Sequence, residues 1–144
     1  MQTATTDEIP RQPRANQHHV LGVKEAIASA SHLLGYSVQQ DVTFTSPGWP
    51  AETRAHLLIT HEDRELVVQV TRCPPVPREH NTSQEMFDQH DVQAIWLCPD
   101  VSRSEGVEVY RYIVDPETLE VTITYGNTAL RPVDFLKQVF AKQP

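Results

Sequence analysis

The chain has 144 residues, 39% of them hydrophobic and 22% charged, and its formal net charge at pH 7 is −7. This length supports one domain with a real core and is too short for two. The acidic balance is opposite in sign to that of most nucleic-acid binders, and the apolar runs are too short to span a membrane. We therefore expect one globular domain with no membrane association, whose contact with nucleic acid is disfavoured.

The N-terminal segment, residues 1–17, lacks the apolar stretch of a secretory signal. Its Thr, Gln, Pro and charged residues predict a disordered arm, so the predicted domain covers residues 18–144. The two cysteines, in a chain with no secretory signal, favour free thiols in a reducing, cytoplasmic setting.

The first half of the domain predicts a helix followed by three strands. In "HHVLGVKEAIASASHLLG" the apolar residues recur every three or four positions, which is typical of one helix face, and Gly35 provides a stop. "YSVQQDVTF" alternates like a half-buried strand, and "TSPGWP" is a loop. Two apolar runs, at about 53–60 and 65–73, then predict a β-hairpin.

The second half predicts a helix, a strand, a second hairpin and a last helix. "PPVPREH" is predicted to be irregular because its prolines remove backbone donors, and Thr82 with Glu85 predicts a capped helix start. Residues 92–97, "VQAIWL", suit a buried strand parallel to the second hairpin strand. "VEVYRYIV" and "LEVTITY" form the second hairpin, and "PVDFLKQVFAK" is an amphipathic helix. The predicted class is α/β, an α+β fold with a mixed sheet.

Polar residues interrupt the first hairpin in a pattern that gathers them on one face. If Thr60 and Glu65 close its turn, opposed residues share one face of the sheet. The predicted opposed pairs are His56 with Gln69 and Arg54 with Thr71. Two interpretations stay open: polar side chains that meet solvent or are covered and hydrogen-bonded, or the remnant of an active site.

Four motifs carry a family resemblance: "HHVLGVKEAI", "TRAHLLI", "LVVQVTRC" and "VQAIWLC", in this order. Together they resemble the nuclease domain of the CoiA-like competence proteins, within the PD-(D/E)XK nuclease superfamily. The resemblance covers His18 to Leu97 and implies a core of helix, three strands, helix and strand. The C-terminal hairpin and helix would be additions to this core.

The resemblance also implies that the catalytic site is degenerate. Where the family has its first metal-binding aspartate this sequence has His56, and Gln69 stands at the following glutamate. Thr71 stands at the lysine or glutamine, and only Arg54 is kept. Mg²⁺ requires anionic oxygens, so we expect no cofactor and no metal site. Other carboxylates, on elements predicted to be distant or at a strand end, are Glu25, Asp41 and Glu52.

The expected function is that of a catalytically inactive, nuclease-like binding or assembly module with a protein partner, in DNA processing or defence. One alternative is an active, Mg²⁺-dependent nuclease with a variant site. Another is a nucleic-acid binder that does not cut and that contacts phosphates through His19, Lys24 and Arg54, although an ordinary helix start explains the first two equally well.

Two contacts are also predicted. Arg54 is expected to pair with an acidic side chain, first of all Glu25, because a buried guanidinium without a partner is costly. Cys73 and Cys98 each end a strand and precede a proline. If those strands are parallel neighbours the thiols could lie close together, and the alternative is two unrelated buried thiols.

Overall fold

The computed structural model describes residues 4–49, 52–72, 77–99 and 109–142, with side chains described from His19 onward in the first helix and from Thr82 onward in the second. Three helices and seven strands follow one another along these residues. They are α1 (Ala4–Leu33), β1 (Ser37–Phe44), β2 (Thr53–His61), β3 (Arg64–Val70), α2 (Pro77–Gln89), β4 (Gln93–Cys98), β5 (Val109–Val114), β6 (Val121–Tyr125), β7 (Thr128–Leu130) and α3 (Pro132–Ala141).

The seven strands form one mixed sheet in chain order, from β1 to β7. β1, β2 and β3 are antiparallel neighbours, β3, β4 and β5 are parallel, and β5, β6 and β7 are again antiparallel. The predicted mixed α+β class is therefore confirmed. The predicted antiparallel hairpin and the parallel strand beside it are also confirmed. α2 forms the crossover connection that the parallel neighbours β3 and β4 require.

Two helix starts differ from the prediction. α1 begins at Ala4 rather than at His18, so residues 4–17, predicted as a disordered arm, belong to this helix. The domain boundary at residue 18 stays a prediction. α2 begins at Pro77, inside the stretch predicted to be irregular. Proline suits a first helical turn, where its missing N–H needs no partner. The predicted cap at Thr82 is wrong because Thr82 lies inside α2.

The sheet carries a hydrophobic core on each face. The first core joins α1 and α3 to one face, and the second joins α2 to the other. The largest fully buried side chains of the first core are Ile27, Leu57, Ile59, Leu66, Ile95, Leu97, Ile123, Phe135 and Leu136. The second core contains Phe44, Ala55, Leu58, Val67, Met86, Phe87, Val92, Ala94 and Trp96. Among the described helices, none is long and apolar enough to cross a membrane.

Arg64, at the start of β3, links the tip of the β2–β3 hairpin to the end of α3. Its Nη1 donates a hydrogen bond to the Phe140 carbonyl, and its Nη2 donates to Gln93 Oε1 at 3.1 Å. The guanidinium also lies 5.3 Å from the centroid of the Phe140 ring. Carbonyls in the last turn of a helix have no partner within the helix, so Arg64 supplies one and fixes α3 against the sheet.

We expect Arg64→Met to lower the free energy of unfolding by about 1–3 kcal/mol, because it leaves a part-buried carbonyl and a side-chain amide without their donor. Urea denaturation followed by circular dichroism would measure the change. The matched control is Arg111→Met, since Arg111 is exposed on β5 and should change stability by less than about 0.5 kcal/mol. Equal losses in the two variants would contradict the anchoring role of Arg64.

Candidate functional site: a fork between two strands

β2 and β3 pair over only part of their length and then separate. Their ladder runs from His61 opposite Arg64 to Leu57 opposite Val68. The predicted register, with Thr60 opposite Glu65, is confirmed, although pairing continues one step nearer the turn. No ladder pair joins the strands beyond Leu57. We call this separated region, 54–56 of β2 with 69–71 at the end of β3, the fork.

Side chains replace the missing ladder inside the fork. The backbone N–H of His56 donates to Gln69 Oε1 at 2.6 Å, and Gln69 Nε2 donates to the Arg54 carbonyl at 2.9 Å. In the opposite direction, the Val70 N–H donates to Nδ1 of the His56 ring at 3.0 Å. Each bond joins a side chain of one strand to the backbone of the other. Two of the polar residues that interrupt the hairpin, His56 and Gln69, therefore bond with their side chains to backbone groups that the ladder does not pair here.

The fork coincides with a change of face in β1 and β2. Side chains alternate along a strand, so Ala55 and Leu57 should lie on one face, yet Ala55 belongs to the second core and Leu57 to the first. In β1, likewise, Val38 packs on the first core and Val42 on the second. Between the two valines Asp41 has φ 54°, a left-handed conformation that aspartate tolerates better than most residues.

Asp41 therefore lies nearer the site than the sequence suggested. Ladder pairs on either side of it, Gln40 with Leu57 and Val42 with Ala55, place Asp41 opposite His56. The prediction that Asp41 lies on an element distant from the site is therefore wrong. The loop between β1 and β2 does not fix a register as a tight hairpin turn does. The sequence signal of this arrangement is Gln40, a polar residue beside Asp41 that occupies an apolar position in the alternation of Val38, Val42 and Phe44.

His56 is held in its neutral form by its surroundings. Burial lowers the pKa of His56, and the positive charges of Lys24 and Arg54 lower it further, while Asp41 opposes them. The ring accepts a hydrogen bond at Nδ1 from Val70, so a proton on that nitrogen would break the bond. Nε2 then carries the single proton of the neutral ring.

The other predicted site residues are only partly brought together. Arg54 is exposed and contributes its carbonyl. Thr71 instead turns towards the parallel strands: its N–H donates to the Leu97 carbonyl at 2.9 Å, and Tyr112 donates to its carbonyl at 3.2 Å. Burial raises the pKa of Tyr112 to about 12, which keeps the phenol a donor. The predicted opposition of Arg54 and Thr71 is not formed.

The predicted partner of Arg54 lies elsewhere. Within the described residues Arg54 and Glu25 form no ion pair, and the Arg54 side chain, being exposed, needs none. Glu25 lines a groove on the other side of α1. Lys24 is close enough to lower the pKa of His56. His19 lies five positions earlier in α1, and the two side chains therefore point in directions about 140° apart around the helix.

The predicted closeness of Cys73 and Cys98 stays untested because Cys73 lies outside the described residues. Cys98 is buried at the end of β4. Glu52, the remaining candidate carboxylate, is exposed just before β2.

The fork fits Mg²⁺ poorly. Both polar atoms of the Gln69 amide and Nδ1 of His56 are engaged with backbone groups. Among the described carboxylates, Asp41 is the one that lies opposite His56 and influences its pKa, and Mg²⁺ prefers several oxygen ligands in octahedral geometry. In the part of the chain that the structure describes, no three His, Cys, Asp or Glu side chains are placed to share a metal ion.

Comparisons with known proteins do not identify a family. No protein-family model matches the sequence, and no curated protein matches it either. One similar solved structure is described as the crystal structure of a protein of unknown function, AF1548. It is 9% identical with a TM-score of 0.45, and the similarity covers 64% of this chain and 58% of that one, less than two thirds of its length. A likeness at this TM-score carries no argument about function.

Gln69→Glu should destabilise the protein by about 1–3 kcal/mol. The carboxylate can still accept from the His56 N–H, but it cannot donate to the Arg54 carbonyl, and Gln69 is only 7% exposed. Thermal and urea denaturation would measure the loss. Gln39→Glu makes the same chemical change at an exposed position of β1 and should shift stability by less than about 0.5 kcal/mol. Similar effects at both positions would rule out the bridging role of Gln69.

The lowered pKa of His56 predicts a pH-dependent contribution to stability. Below the ordinary histidine pKa, about 6.5, the unfolded chain takes up a proton that the folded ring resists. Stability is therefore lost as the pH falls through that value, and the loss levels off below the folded pKa.

His56→Asn keeps an acceptor near the position of Nδ1 and removes the titration. The difference in free energy of unfolding between wild type and His56→Asn should be constant above about pH 7.5 and should shrink below about pH 6.5. Urea denaturation across this range measures it. The remaining histidines are common to both proteins and cancel. A difference that stays flat down to pH 5 would show that His56 is not held neutral.

Proposed function

We propose that this chain is a CoiA-like, PD-(D/E)XK-type protein whose nuclease site is inactive. In this proposal it acts as a protein-binding or assembly module in DNA processing or defence. The observation that carries the proposal is the bonding of Gln69. At the position that the resemblance assigns to a metal-binding glutamate, both polar atoms of a neutral amide are engaged with the backbone of β2.

Electrostatics support the loss of catalysis. Metal-dependent cleavage of a phosphodiester uses a cation that activates water and stabilises charge on the phosphate. His56 replaces the other carboxylate of the family's site, and burial together with Lys24 and Arg54 favours its neutral form. With Asp41 as the neighbouring carboxylate, the fork offers too little negative charge for such a cation. These contacts fit better with a site in which the side chains at the former ligand positions, His56 and Gln69, hydrogen-bond β2 to β3.

A second candidate is a nucleic-acid binder that does not cut. The charges of Lys24 and Arg54 both lower the pKa of His56. Arg72 is exposed just beyond the fork, and its charge lowers the pKa of Tyr112. These charges form a local basic area on a protein with a net charge of −7, and such areas contact phosphates. The overall acidity favours the protein-binding module. The binder would show an affinity that falls steeply with salt and with Arg54→Gln.

The purified protein should not cut single-stranded DNA, double-stranded DNA or RNA in the presence of Mg²⁺ or Mn²⁺. The expected rate equals that of the buffer, because the fork lacks the anionic ligands that would hold the metal. Gel assays with end-labelled substrates measure this. A CoiA-like nuclease with its carboxylates intact is the positive control.

The contrary outcome is equally specific. Robust cleavage that requires a metal ion and is abolished by Gln69→Ala or His56→Ala would replace this proposal with the active nuclease of variant site. Cleavage that survives both substitutions would show that neither side chain takes part, and repeating the assay on independently purified protein would separate a contaminant from activity at another site of this chain.

A further inference from the structure

An apolar groove lies on the opposite side of α1 from the fork. Its volume is about 900 Å³, and α1, the turn between β5 and β6, and the start of α3 form its walls. Two leucines on these walls face solvent: Leu33 is 79% exposed and Leu119 is 67% exposed. Large apolar side chains that are exposed together beside a concave surface are typical of binding sites.

Leu119 is held in a conformation that argues against an accidental exposure. Its φ is 63°, in the left-handed region, where a leucine is disfavoured and asparagine or glycine is better tolerated. The turn that presents it is rigid: the Leu119 N–H donates to the Asp115 carbonyl at 2.8 Å, and Asp115 Oδ1 accepts from the N–H groups of Glu117 and Thr118. The fold thus holds an apolar side chain outward at a strained position, with little burial to offset the strain.

The charges of the groove select the kind of partner. Glu25 and Glu120 line it, and neither forms an ion pair within the described residues. The one cation of the lining, Arg131, is paired with Asp134 at 3.3 Å. Two carboxylates beside an apolar floor favour a partner with basic residues flanking its apolar ones. They disfavour a second copy of this chain, which would bring the same carboxylates and the same net charge of −7 to the interface.

The length of the groove and the bonding of its backbone favour a helix over an extended peptide. Its lining on α1 runs from Gly22 to Leu34, roughly 18 Å at about 1.5 Å per residue. That length matches about three turns of a docked helix. An extended peptide would find no free ladder partners on α1, whose backbone is bonded internally, whereas a helix satisfies its own backbone groups.

We propose that this groove binds a basic amphipathic helix of another protein, with apolar residues at successive turns packed between Leu33 and Leu119 and with lysine or arginine facing Glu25 and Glu120. This inference names the class of partner for the protein-binding module and rests on that proposed function. The fork takes no part in it.

A displayed library of helical peptides of about four turns provides the test, because helices shorter than this are marginal in water. The library would be selected on the wild-type protein and depleted on the double variant Leu33→Asn with Leu119→Asn. Asparagine removes the apolar side chain and is tolerated in the left-handed region, so the variant is expected to fold, which circular dichroism checks. The expected survivors carry a net positive charge and apolar residues at i, i+3 or i+4, and i+7.

The selected peptides would then be titrated by fluorescence anisotropy. Each single leucine substitution should weaken binding roughly tenfold to a hundredfold. Glu25→Gln and Glu120→Gln should each weaken it by roughly twofold to fivefold and should reduce its salt dependence. Leu21→Asn is the matched control: Leu21 is also on α1 and 52% exposed but lies outside the groove, so affinity should not change.

Failure of the selection to enrich any peptide over the double variant would overturn the inference. Survivors that are acidic, or that bind the leucine variants as tightly as wild type, would overturn it as well. A concentration-dependent dimer that Leu119→Asn abolishes would assign the groove to a second copy instead. These outcomes are independent of the cleavage assay: a protein that binds the helices and also cuts nucleic acid would refute the proposed function alone.

Discussion

The two-sided hydrogen bonding of Gln69 is the constraint on which the centre of this sheet depends. A ladder joins strands through backbone groups alone. The ladder of β2 and β3 ends at the pair of Leu57 and Val68, and the strands separate on the side of this pair that faces away from the turn. The Gln69 amide then bridges the gap, since one side chain can accept from His56 and donate to Arg54 at once. Neither a carboxylate nor an apolar residue can do both.

The separation lets each strand serve two different neighbours. β3 continues straight along β4, and Thr71 keeps that direction by bonding to Leu97. β2 changes the face of its side chains, so that Ala55 reaches the second core while Leu57 remains in the first. Asp41 makes the matching change in β1. The fork is therefore the place where the antiparallel meander is joined to the parallel strands, and side chains there bond three backbone groups, those of His56, Arg54 and Val70.

Stability and binding are assigned to different sides of α1. Its apolar face packs on the sheet through Val23 and Ile27, and Lys24 lies close enough to affect His56 at the fork. Leu33 and Glu25 instead belong to the groove shared with the β5–β6 turn. A helix with three distinct sides can pack on the sheet and lie beside the fork while presenting an apolar surface elsewhere.

Apart from β7, which the sequence analysis did not predict, the sequence by itself determined the order of the elements, the antiparallel hairpin with its register, and the parallel strand after α2. These follow from local signals: alternation over 53–60, a short turn, and an apolar run at 92–97. It also gathered His56 with Gln69, because opposition in a tight hairpin is set by turn length. Only the tertiary structure decided what those two side chains do. Whether a polar residue completes a ladder, holds a metal or meets solvent depends on where neighbouring strands diverge, and that divergence is set by packing against both cores. The position of Asp41 opposite His56, and the groove that Leu119 borders, likewise join segments distant in sequence, for which local pattern carries no register.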